Sequence, residues 1–294
     1  MLELADLMHR FGDNVAVDGV NLSVPDGSIV GLVGRNGAGK TTTMRAIMGI
    51  LRPLRGTVSW NGHPVTPDDR RTFGYMPEER GLYPHMKVID QVRYFARLHG
   101  LSTEEAQRSA VGLLDRLGLA GRATDKLMAL SHGNQQRAQL AVALVHGPRL
   151  MVLDEPFAGL DPAAVDSLSG VITDRAAEGV GVLFSSHQLE LVERLCRHVV
   201  IVEKGKVLAS GTLDDLRRRV PQHLRIDVAA PPDWAEALSG VHIQQVTGES
   251  IALLLDPGVD PQTVLKEAMA AGRVDHFGFE SAGLADLYRT LVPE

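Results

Sequence analysis

The chain has 294 residues, enough for one large domain or for one large domain with a smaller one beside it. Its formal net charge is −6, from 36 acidic and 30 basic residues, which excludes a globally basic protein that holds nucleic acid by charge alone. No apolar run approaches the roughly 20 residues of a membrane-spanning helix, and the single cysteine, Cys196, excludes an internal disulfide. We therefore expect a soluble cytoplasmic protein whose contact with a membrane would go through a protein partner.

The first part of the sequence predicts two antiparallel strands, then a strand, a loop and a helix. Residues 2–11 and 17–24 are extended segments separated by a turn-prone Gly-Asp-Asn, and an apolar run follows at residues 29–33. A helix is predicted over residues 40–50, with a stop near Pro53. This order indicates an antiparallel hairpin beside a sheet that contains parallel strands.

The loop between that strand and that helix fits the pattern G-x-x-x-x-G-K-[S/T], which binds the phosphates of a nucleoside triphosphate. Backbone N–H groups and the helix N-terminus can surround an anion, Lys40 can reach the outer phosphates, and the hydroxyl of Thr41 can bind Mg²⁺. A chance match in a glycine-rich chain is the alternative, but the strand before the loop and the helix after it argue against it. This phosphate loop comprises Gly34, Arg35, Asn36, Gly37, Ala38, Gly39, Lys40, Thr41 and Thr42.

Helices interrupt the sheet in the middle of the chain. Short strands are predicted at residues 56–62 and 72–76, and apolar side chains then recur at three- and four-residue spacing between residues 88 and 119. After a helix at residues 131–146, strands and helices alternate in the manner of a parallel α/β layer. The strands of this layer are predicted at residues 150–153, 180–184 and 199–202, and the helices at residues 163–178 and 188–195.

Two carboxylates, Asp154 and Glu155, directly follow the apolar strand at residues 150–153. The C-terminal edge of a parallel sheet is where ligand sites open in α/β proteins. Because side chains alternate along a strand, one acid can serve a metal while its neighbour faces an attacking water. We assign Asp154 to Mg²⁺ and Glu155 to activation of the water; the alternative is an exposed acidic strand end.

The last part of the chain consists of smaller units. Their predicted order is β-α-β-β-α-β-α, which is typical of a ferredoxin-like split unit. We find no catalytic group of residues there, and expect a role in regulation, dimer contacts or partner contacts. Extended segments are predicted at residues 224–228, 241–246, 251–255 and 276–279, and helices at residues 234–238, 264–271 and 284–291.

Three further motifs narrow the class of phosphate-loop protein. They are LSHGNQQR at residues 130–137, AGLDP at residues 158–162 and SSH at residues 185–187. With these motifs in unbroken order, residues 1 to about 220 resemble the ATP-binding subunits of ABC transporters. The resemblance implies an α/β P-loop NTPase core, residues 1–220, with an antiparallel β subdomain and a helical subdomain at about residues 85–148. Residues 221–294 would form a small α+β, ferredoxin-like accessory domain.

The resemblance also implies that each ATP site is shared between two subunits. Phe11 would stack on adenine, and the alternative is an ordinary core phenylalanine. Ser131, Gly133 and Asn134 would present a helix N-terminus to the γ-phosphate held by a second subunit. By itself Ser131 is a good helix N-cap, which is compatible with anion binding. Asp161 would organise the interface between the subunits.

One more catalytic residue is implied by the family pattern. His187 would contact the γ-phosphate and help to hold the water and Glu155. A lone histidine would otherwise be read as structural. Lys40, Glu155 and His187 are therefore the expected catalytic residues.

The chain departs from the common family pattern at four positions. Glu78 stands where a glutamine usually senses Mg²⁺ and the transmembrane subunit, and its charge could strengthen Mg²⁺ binding. His132 and Asn134 replace a glycine and a glutamine, and Ala158 replaces a serine. The run at residues 77–84, with the C-terminal extension, resembles the export-type subgroup that includes sodium-extrusion and drug-resistance ATPases.

The implied function is ATP hydrolysis coupled to transport. Two subunits, identical or related, would close around two MgATP and drive transport, in the direction of export, through separate transmembrane permease subunits that meet residues 78–84. The protein would then lie on the inner face of the cell membrane through its permease. The alternative is a soluble ABC-type ATPase that acts on ribosomes or nucleic acid, although the net charge leads us to expect no nucleic-acid partner. An unrelated phosphate-loop kinase is a third reading.

Overall fold

The computed structural model of the protein describes residues 1–79, 81–218, 223–280 and 283–292. The chain divides into two compact units, Met1–Leu213 and Asp214–Glu294. The domain boundary predicted between residues 220 and 221 lies outside the described residues, as does Arg80 in the run at residues 77–84, so the exact division into domains stays a prediction.

Strands and helices alternate along both units. The strands are β1 (Leu2–Phe11), β2 (Asn14–Val24), β3 (Ile29–Val33), β4 (Arg55–Trp60), β5 (His63–Pro64), β6 (Phe73–Met76), β7 (Leu150–Leu153), β8 (Gly181–Ser186), β9 (His198–Glu203), β10 (Lys206–Thr212), β11 (His223–Val228), β12 (Val241–Thr247), β13 (Ser250–Leu255) and β14 (Val274–Glu280). The helices are α1 (Lys40–Ile47), α2 (Pro67–Arg71), α3 (Val88–Leu98), α4 (Thr103–Arg116), α5 (His132–Leu144), α6 (Pro162–Ala177), α7 (Leu189–Leu195), α8 (Leu213–Arg217), α9 (Asp233–Glu236), α10 (Pro261–Ala271) and α11 (Leu284–Leu291). No helix in the described part of the chain has the length and apolarity to cross a membrane.

The first unit contains the predicted parallel layer. Its six-stranded sheet has the order β10-β9-β3-β8-β7-β6, and the β3–β8, β3–β9, β7–β8 and β6–β7 pairs are parallel. Every residue of β3, β7 and β8 is buried, as expected of strands covered on both faces. The carboxyl ends of β3, β7 and β8 therefore bring the phosphate loop, the acidic pair and the SSH motif to one edge of the sheet.

The N-terminal hairpin belongs to a second, antiparallel sheet with the order β2-β1-β4-β5. Leu4, Val20 and Val58 from this sheet share one apolar core with Leu32 and Leu183 of the parallel sheet. Truncating such fully buried leucines costs about 2–5 kcal/mol, so the core fixes the two sheets against each other. This packing brings β1 and β2 beside the phosphate loop.

Helices α3, α4 and α5 form the predicted helical insertion. Ser102 begins α4 with a capping box, in which its hydroxyl accepts from the N–H of Glu105 and its own N–H donates to the Glu105 carboxylate. Ser131 begins α5, because its Oγ accepts a hydrogen bond from the N–H of Asn134 at 3.4 Å. The signature loop, residues 131–134, is therefore the exposed N-terminus of a 13-residue helix.

The second unit has the predicted order β-α-β-β-α-β-α. Its sheet has the order β12-β13-β11-β14, with antiparallel neighbours throughout. Both β11 and β12 are antiparallel to β13 between them, so they are parallel to each other, as a split β-α-β unit requires. Leu224, Leu253 and Val264 lie in its apolar core. The ferredoxin-like prediction is confirmed.

Candidate active site

The phosphate loop is shaped by glycines that no other residue could replace without strain. Gly39, at φ 102°, is the N-cap of α1. A Cβ atom on Gly39 would lie 2.4 Å from the carbonyl oxygen of Ala16, and one on Gly34 would lie 2.3 Å from that of Val202. Side chains at these positions would push the loop away from β2 and β9. The tight backbone thus points the first N–H groups of α1 toward one cavity.

Lys40 is held at the centre of this loop. Its Nζ donates to the carbonyl oxygens of Gly34 at 2.7 Å and Arg35 at 3.3 Å, and lies 3.4 Å from Oε1 of Glu155. Lys40 is only 6% exposed. A buried ammonium group next to a carboxylate and two carbonyls is strongly oriented, so its charge acts on the cavity from a fixed point.

The cavity beside the loop has a volume of about 420 Å³. Phe11 lies on its wall and is 50% exposed, so the alternative that Phe11 is a core residue is wrong. Val15 and Ala16, from the neighbouring strand β2, continue the wall. The predicted site residues that line this cavity are Phe11, Asn36, Gly37, Ala38, Gly39, Lys40, Thr41, Thr42, Glu78 and Glu155.

The acidic pair at the end of β7 is buried. Asp154 is 0% exposed and Glu155 is 6% exposed, so the alternative of an exposed acidic strand end is wrong. Oγ of Ser185 donates to Oδ1 of Asp154 at 2.6 Å and accepts from the N–H of Glu155 at 2.8 Å. Burial, and then the negative charge of Asp154, raise the pKa of Tyr75 on the adjacent strand β6. Tyr75 is therefore a neutral neighbour of this carboxylate at physiological pH.

His187 is connected to the same carboxylate pair. Its Nδ1 lies 3.0 Å from Oε2 of Glu155, within hydrogen-bond distance of a carboxylate that can only accept. The two oxygens of Glu155 thus face Lys40 on one side and His187 on the other. The backbone of Glu155 has φ 48°, which is uncommon outside glycine and marks a constrained position.

The residues present fit a Mg²⁺ ion held together with phosphates. Among the described residues, no three histidine, cysteine, aspartate or glutamate side chains are grouped as a metal cage. Mg²⁺ does not require such a cage, because it is commonly bound by one or two carboxylates together with substrate phosphates and water. Oδ2 of Asp154 is buried and has no hydrogen-bond partner in the described part of the chain, and Thr41 lies on the cavity wall. An oxygen donor set of this kind suits Mg²⁺.

The signature loop lies apart from this cavity. None of Ser131, Gly133, Asn134 and Asp161 lines it. Asp161 instead begins α6, with Oδ1 accepting from the N–H of Ala164 at 2.7 Å. Within one subunit the structure therefore does not bring these four residues to the phosphate loop.

Two of the departures from the family pattern contact each other. Nε2 of His132 donates to the carbonyl oxygen of Ala158 at 3.2 Å, and a Cβ atom on Gly159 would lie 2.8 Å from the same nitrogen. Gly133 faces Leu160 closely as well, because a Cβ atom on it would lie 3.4 Å from Cδ2 of that leucine. The signature loop is thus packed on the loop that follows Glu155.

Sequence reasoning missed three polar side chains that support the site. Ser185 connects the carboxylate of Asp154 to the backbone of Glu155. Gln136, 3% exposed, donates to the carbonyl oxygens of Glu155 at 3.2 Å and Pro156 at 3.3 Å, and Gln139 donates to that of Pro77 at 2.6 Å. Two glutamines three residues apart on an otherwise apolar face of α5 are a signal that could have identified the helix as a support for these loops.

The comparisons with known proteins agree with this geometry. Residues 17–158 match the family described as ABC transporter, and residues 211–292 match the family described as ATP-binding protein DrrA1-3-like, C-terminal domain. The uncharacterized ABC transporter ATP-binding protein YhaQ of Bacillus subtilis (strain 168) is 37% identical over 98% of this chain and 97% of its own. The Nod factor export ATP-binding protein I of Cupriavidus pinatubonensis (strain JMP 134 / LMG 1197) is 36% identical over 74% of this chain and 67% of its own.

A solved structure of similar architecture is described as the ATP binding subunit of an ABC transporter. It has a TM-score of 0.69 and 37% identity, and the match covers 74% of this chain and 92% of that one. The α/β fold predicted from the sequence is confirmed. The chain therefore belongs to the ATP-binding proteins of ABC transporters, the subunits that bind and hydrolyse ATP.

Proposed function

We propose that two ATP-binding subunits, this chain with a second copy or with a related chain, close around two MgATP and drive export through separate permease subunits. The observation that carries the proposal is that Lys40 and Glu155 line one cavity and that Nδ1 of His187 lies 3.0 Å from the Glu155 carboxylate, while the signature loop lies off that cavity at the N-terminus of α5. A half-site and a separate helix N-terminus that can bind an anion are what a shared ATP site requires of each subunit.

Hydrolysis is assigned to the residues around Glu155. Its carboxylate accepts the proton of the attacking water as general base. His187, 3.0 Å from the same carboxylate, holds Glu155 and the water and contacts the γ-phosphate, and Lys40 holds the outer phosphates. Phe11, half-exposed on the cavity wall, is available to stack on the adenine ring.

The metal is assigned to Thr41, Asp154 and Glu78. Support comes from the buried free oxygen of Asp154 and from the positions of Thr41 and Glu78 on the cavity wall. When bound, Mg²⁺ would neutralise part of the phosphate charge that develops during hydrolysis. The carboxylate of Glu78, exposed at the end of β6, adds a negative charge where relatives commonly carry an amide.

Closure of the pair follows from the helix N-termini. Ser131, Gly133 and Asn134 open α5, and the N-terminus of a helix favours an anion through its dipole and its first N–H groups. ATP held by one subunit improves this contact only when the partner approaches, so ATP binds the closed pair more tightly and shifts the population toward it. Asp161, exposed at the start of α6, is assigned to the interface.

The permease contact is assigned to residues 78–84 and the neighbouring face of α3. Gln91, 1% exposed, accepts from the N–H of Tyr83 at 2.9 Å and donates to its carbonyl oxygen at 3.0 Å, so the backbone of Tyr83 is held to α3. The rings of Tyr83 and Tyr94 are 52% and 42% exposed with centroids 6.3 Å apart, which offers an aromatic surface to a partner. Through this contact the protein would lie in the cytoplasm, on the inner face of the cell membrane.

We infer the direction of transport, and the roles of the two parts of the chain, from the similar proteins. A Nod factor export ATP-binding protein matches the ATPase part of the chain, and the DrrA1-3-like family matches residues 211–292. We assign residues 1–220 to the ATPase and residues 221–294 to an accessory domain. A soluble ATPase that acts on ribosomes or nucleic acid is not favoured, because the relatives are ATP-binding proteins of transporters.

Affinity purification of the full chain from detergent-solubilised membranes tests the proposal. We expect a multi-span membrane protein to co-purify at a fixed ratio, with ATPase activity that requires Mg²⁺. The Glu155→Gln variant in ATP should form a dimer by light scattering, because slow hydrolysis leaves the closed state populated. Recovery with ribosomes or nucleic acid in a salt-sensitive complex would contradict the proposal.

A further inference from the structure

Ser185 reaches the carboxylate of Asp154 and the backbone N–H of Glu155 with one hydroxyl. It is 0% exposed, near the end of β8, and 31 residues from Asp154 in sequence. The parallel pairing of β7 with β8 sets Leu153 opposite Phe184 and so brings the two strand ends side by side. The hydroxyl of Ser185 donates to Asp154 and accepts from the backbone of Glu155.

The first of these bonds fixes the side chain of Asp154. Oδ1 accepts from Ser185 at 2.6 Å, while Oδ2 is buried and has no hydrogen-bond partner among the described residues. A carboxylate with one oxygen bonded and the other free is oriented, so the free oxygen points in one direction. Such outer partners determine how a ligating carboxylate faces its ion.

The second bond fixes the backbone of Glu155. Its N–H donates to Oγ of Ser185 at 2.8 Å, and the residue has φ 48°, a left-handed conformation that is strained for a residue with a side chain. From this backbone the side chain reaches Nζ of Lys40 at 3.4 Å and Nδ1 of His187 at 3.0 Å. The hydrogen bond from the N–H of Glu155 to Ser185 offsets this backbone strain.

We infer that Ser185 is a positioning residue for ATP hydrolysis, which orients Asp154 toward the metal and holds Glu155 in the conformation that meets Lys40 and His187. The inference rests on the proposed roles of Asp154 and Glu155. Ser185 does not line the nucleotide cavity and acts through these two residues.

Ser186 provides a matched control on the same strand. It is 2% exposed, so its burial equals that of Ser185, but its Oγ accepts from the N–H of Gln188 at 3.0 Å and contacts neither carboxylate. Removal of the Ser185 hydroxyl leaves the buried N–H of Glu155 and Oδ1 of Asp154 without this partner, whereas removal of the Ser186 hydroxyl leaves only the N–H of Gln188 without it, so Ser185→Ala should cost more stability. Only removal of the Ser185 hydroxyl frees the carboxylate pair.

Three measurements on the purified full chain separate positioning from folding: the thermal midpoint, kcat and KM for ATP, and binding of a fluorescent ATP analogue in Mg²⁺ and in EDTA. We expect Ser185→Ala to lower kcat about 10- to 100-fold and to reduce the gain in nucleotide affinity that Mg²⁺ gives. Its affinity in EDTA should equal that of the wild type, because the phosphate loop is intact. Ser186→Ala should keep the wild-type kcat and the wild-type Mg²⁺ response.

The opposite outcomes would overturn the inference. Equal kcat and equal Mg²⁺ response in Ser185→Ala and Ser186→Ala would show that the hydroxyl of Ser185 is only structural. Ser185→Cys carries the same test if the alanine variant fails to fold, since a thiol fills the space but is a weak donor and acceptor. A wild-type Mg²⁺ response in Ser185→Cys would therefore also contradict it.

The Asp154→Asn variant distinguishes failure of this inference from failure of the proposed function. If Asp154→Asn loses the Mg²⁺ response while Ser185→Ala keeps it, the metal assignment stands and only the role of Ser185 is wrong. If Asp154→Asn keeps the Mg²⁺ response, the metal assignment itself is wrong.

Discussion

Lys40 and Glu155 form a buried ion pair, with 3.4 Å between Nζ and Oε1 and side chains that are 6% and 7% exposed. The pair joins the phosphate loop to the end of β7, two segments separated by more than a hundred residues. Because each side chain is nearly inaccessible to water, each depends on the other for compensation of its charge. Loss of either partner should therefore leave a buried charge uncompensated, which does not happen when an exposed ion pair is lost.

Replacement of Lys40 by alanine should weaken ATP binding by about 10- to 100-fold, since charge-assisted hydrogen bonds contribute roughly 1.5–3 kcal/mol. Titration with a fluorescent ATP analogue measures the effect. Lys206→Ala is the control, because that lysine is 66% exposed and its pair with Asp18 at 3.3 Å is a surface contact. Wild-type affinity in Lys40→Ala would show that the phosphate loop does not hold ATP in this way.

Replacement of Glu155 by glutamine should slow ATP turnover by roughly 10²–10⁴ while ATP binding is retained, as expected when a general base is lost. Phosphate release under single-turnover conditions measures the chemical step. Glu178→Gln changes an exposed glutamate that pairs with Arg175 at 2.8 Å and should leave turnover unchanged. Unchanged turnover in Glu155→Gln would remove Glu155 from the role of base.

Replacement of Phe11 by alanine should raise the Kd for ATP by about 5- to 150-fold, because stacking of a base on an aromatic ring contributes 1–3 kcal/mol. The thermal midpoint should hardly change, since the ring is already 50% exposed. Phe279→Ala removes a ring of similar exposure, 49%, from the other compact unit and should leave the Kd unaltered. If both variants bind ATP equally well, adenine does not stack on Phe11.

Replacement of Gly205 by alanine should disturb the nucleotide cavity from behind. Gly205, at φ 79°, donates its N–H to the carbonyl oxygen of Ala38, and a Cβ atom on it would lie 3.0 Å from that of Ala16. Gly62→Ala is the matched control, because φ is 82° there and nothing lies within 4 Å of the added atom. Both variants should lose stability through backbone strain, but only Gly205→Ala should raise the KM for ATP. Equal KM values in the two variants would contradict this expectation.

The stability of the chain should fall as the pH drops from about 6.5 toward about 4, because of His146. Burial, and then the charge of the stacked His99, lower the pKa of His146 from 6.5 to about 4. Between these pH values His146 is protonated in the unfolded chain but neutral in the folded chain. The free energy of unfolding therefore falls by up to about 3 kcal/mol as the pH drops through this window, and His146 has no such effect above pH 6.5. Urea unfolding at pH 7.5, 6 and 5 should show a shallower pH slope for His146→Gln than for the wild type.

The ATP half-site was predictable because its chemistry is contiguous in sequence. The phosphate loop carries its glycines, lysine and threonine within nine positions, and the acidic pair directly follows an apolar strand. The composition and residue spacing of each segment predict its local structure. The role of Ser185 was not predictable, because it depends on the register between β7 and β8, which is set by tertiary packing.

The boundaries of the elements were harder to predict. Helix α1 ends at Ile47 and not at residue 50, because Gly49 adopts φ 72° and the N–H of Ile50 turns back to the carbonyl oxygen of Arg45 at 2.9 Å. The sequence pattern predicts a stop at Pro53, but the nearer Gly49 ends the helix. Strand β10 was missed, because its pairing with β9 depends on a tight turn at Lys204 and Gly205.

Helix α5 has two roles at its N-terminal end. Its exposed first turn is the part offered to a partner's nucleotide in the proposed pair, and the buried amide of Gln136 at the start of the next turn holds the backbone of Glu155 and Pro156. The same end of one helix would therefore contact the ATP of the neighbouring subunit and support the catalytic base of its own subunit. A change at either ATP site would then be transmitted through α5 to the other, and hydrolysis at the two sites would be coupled.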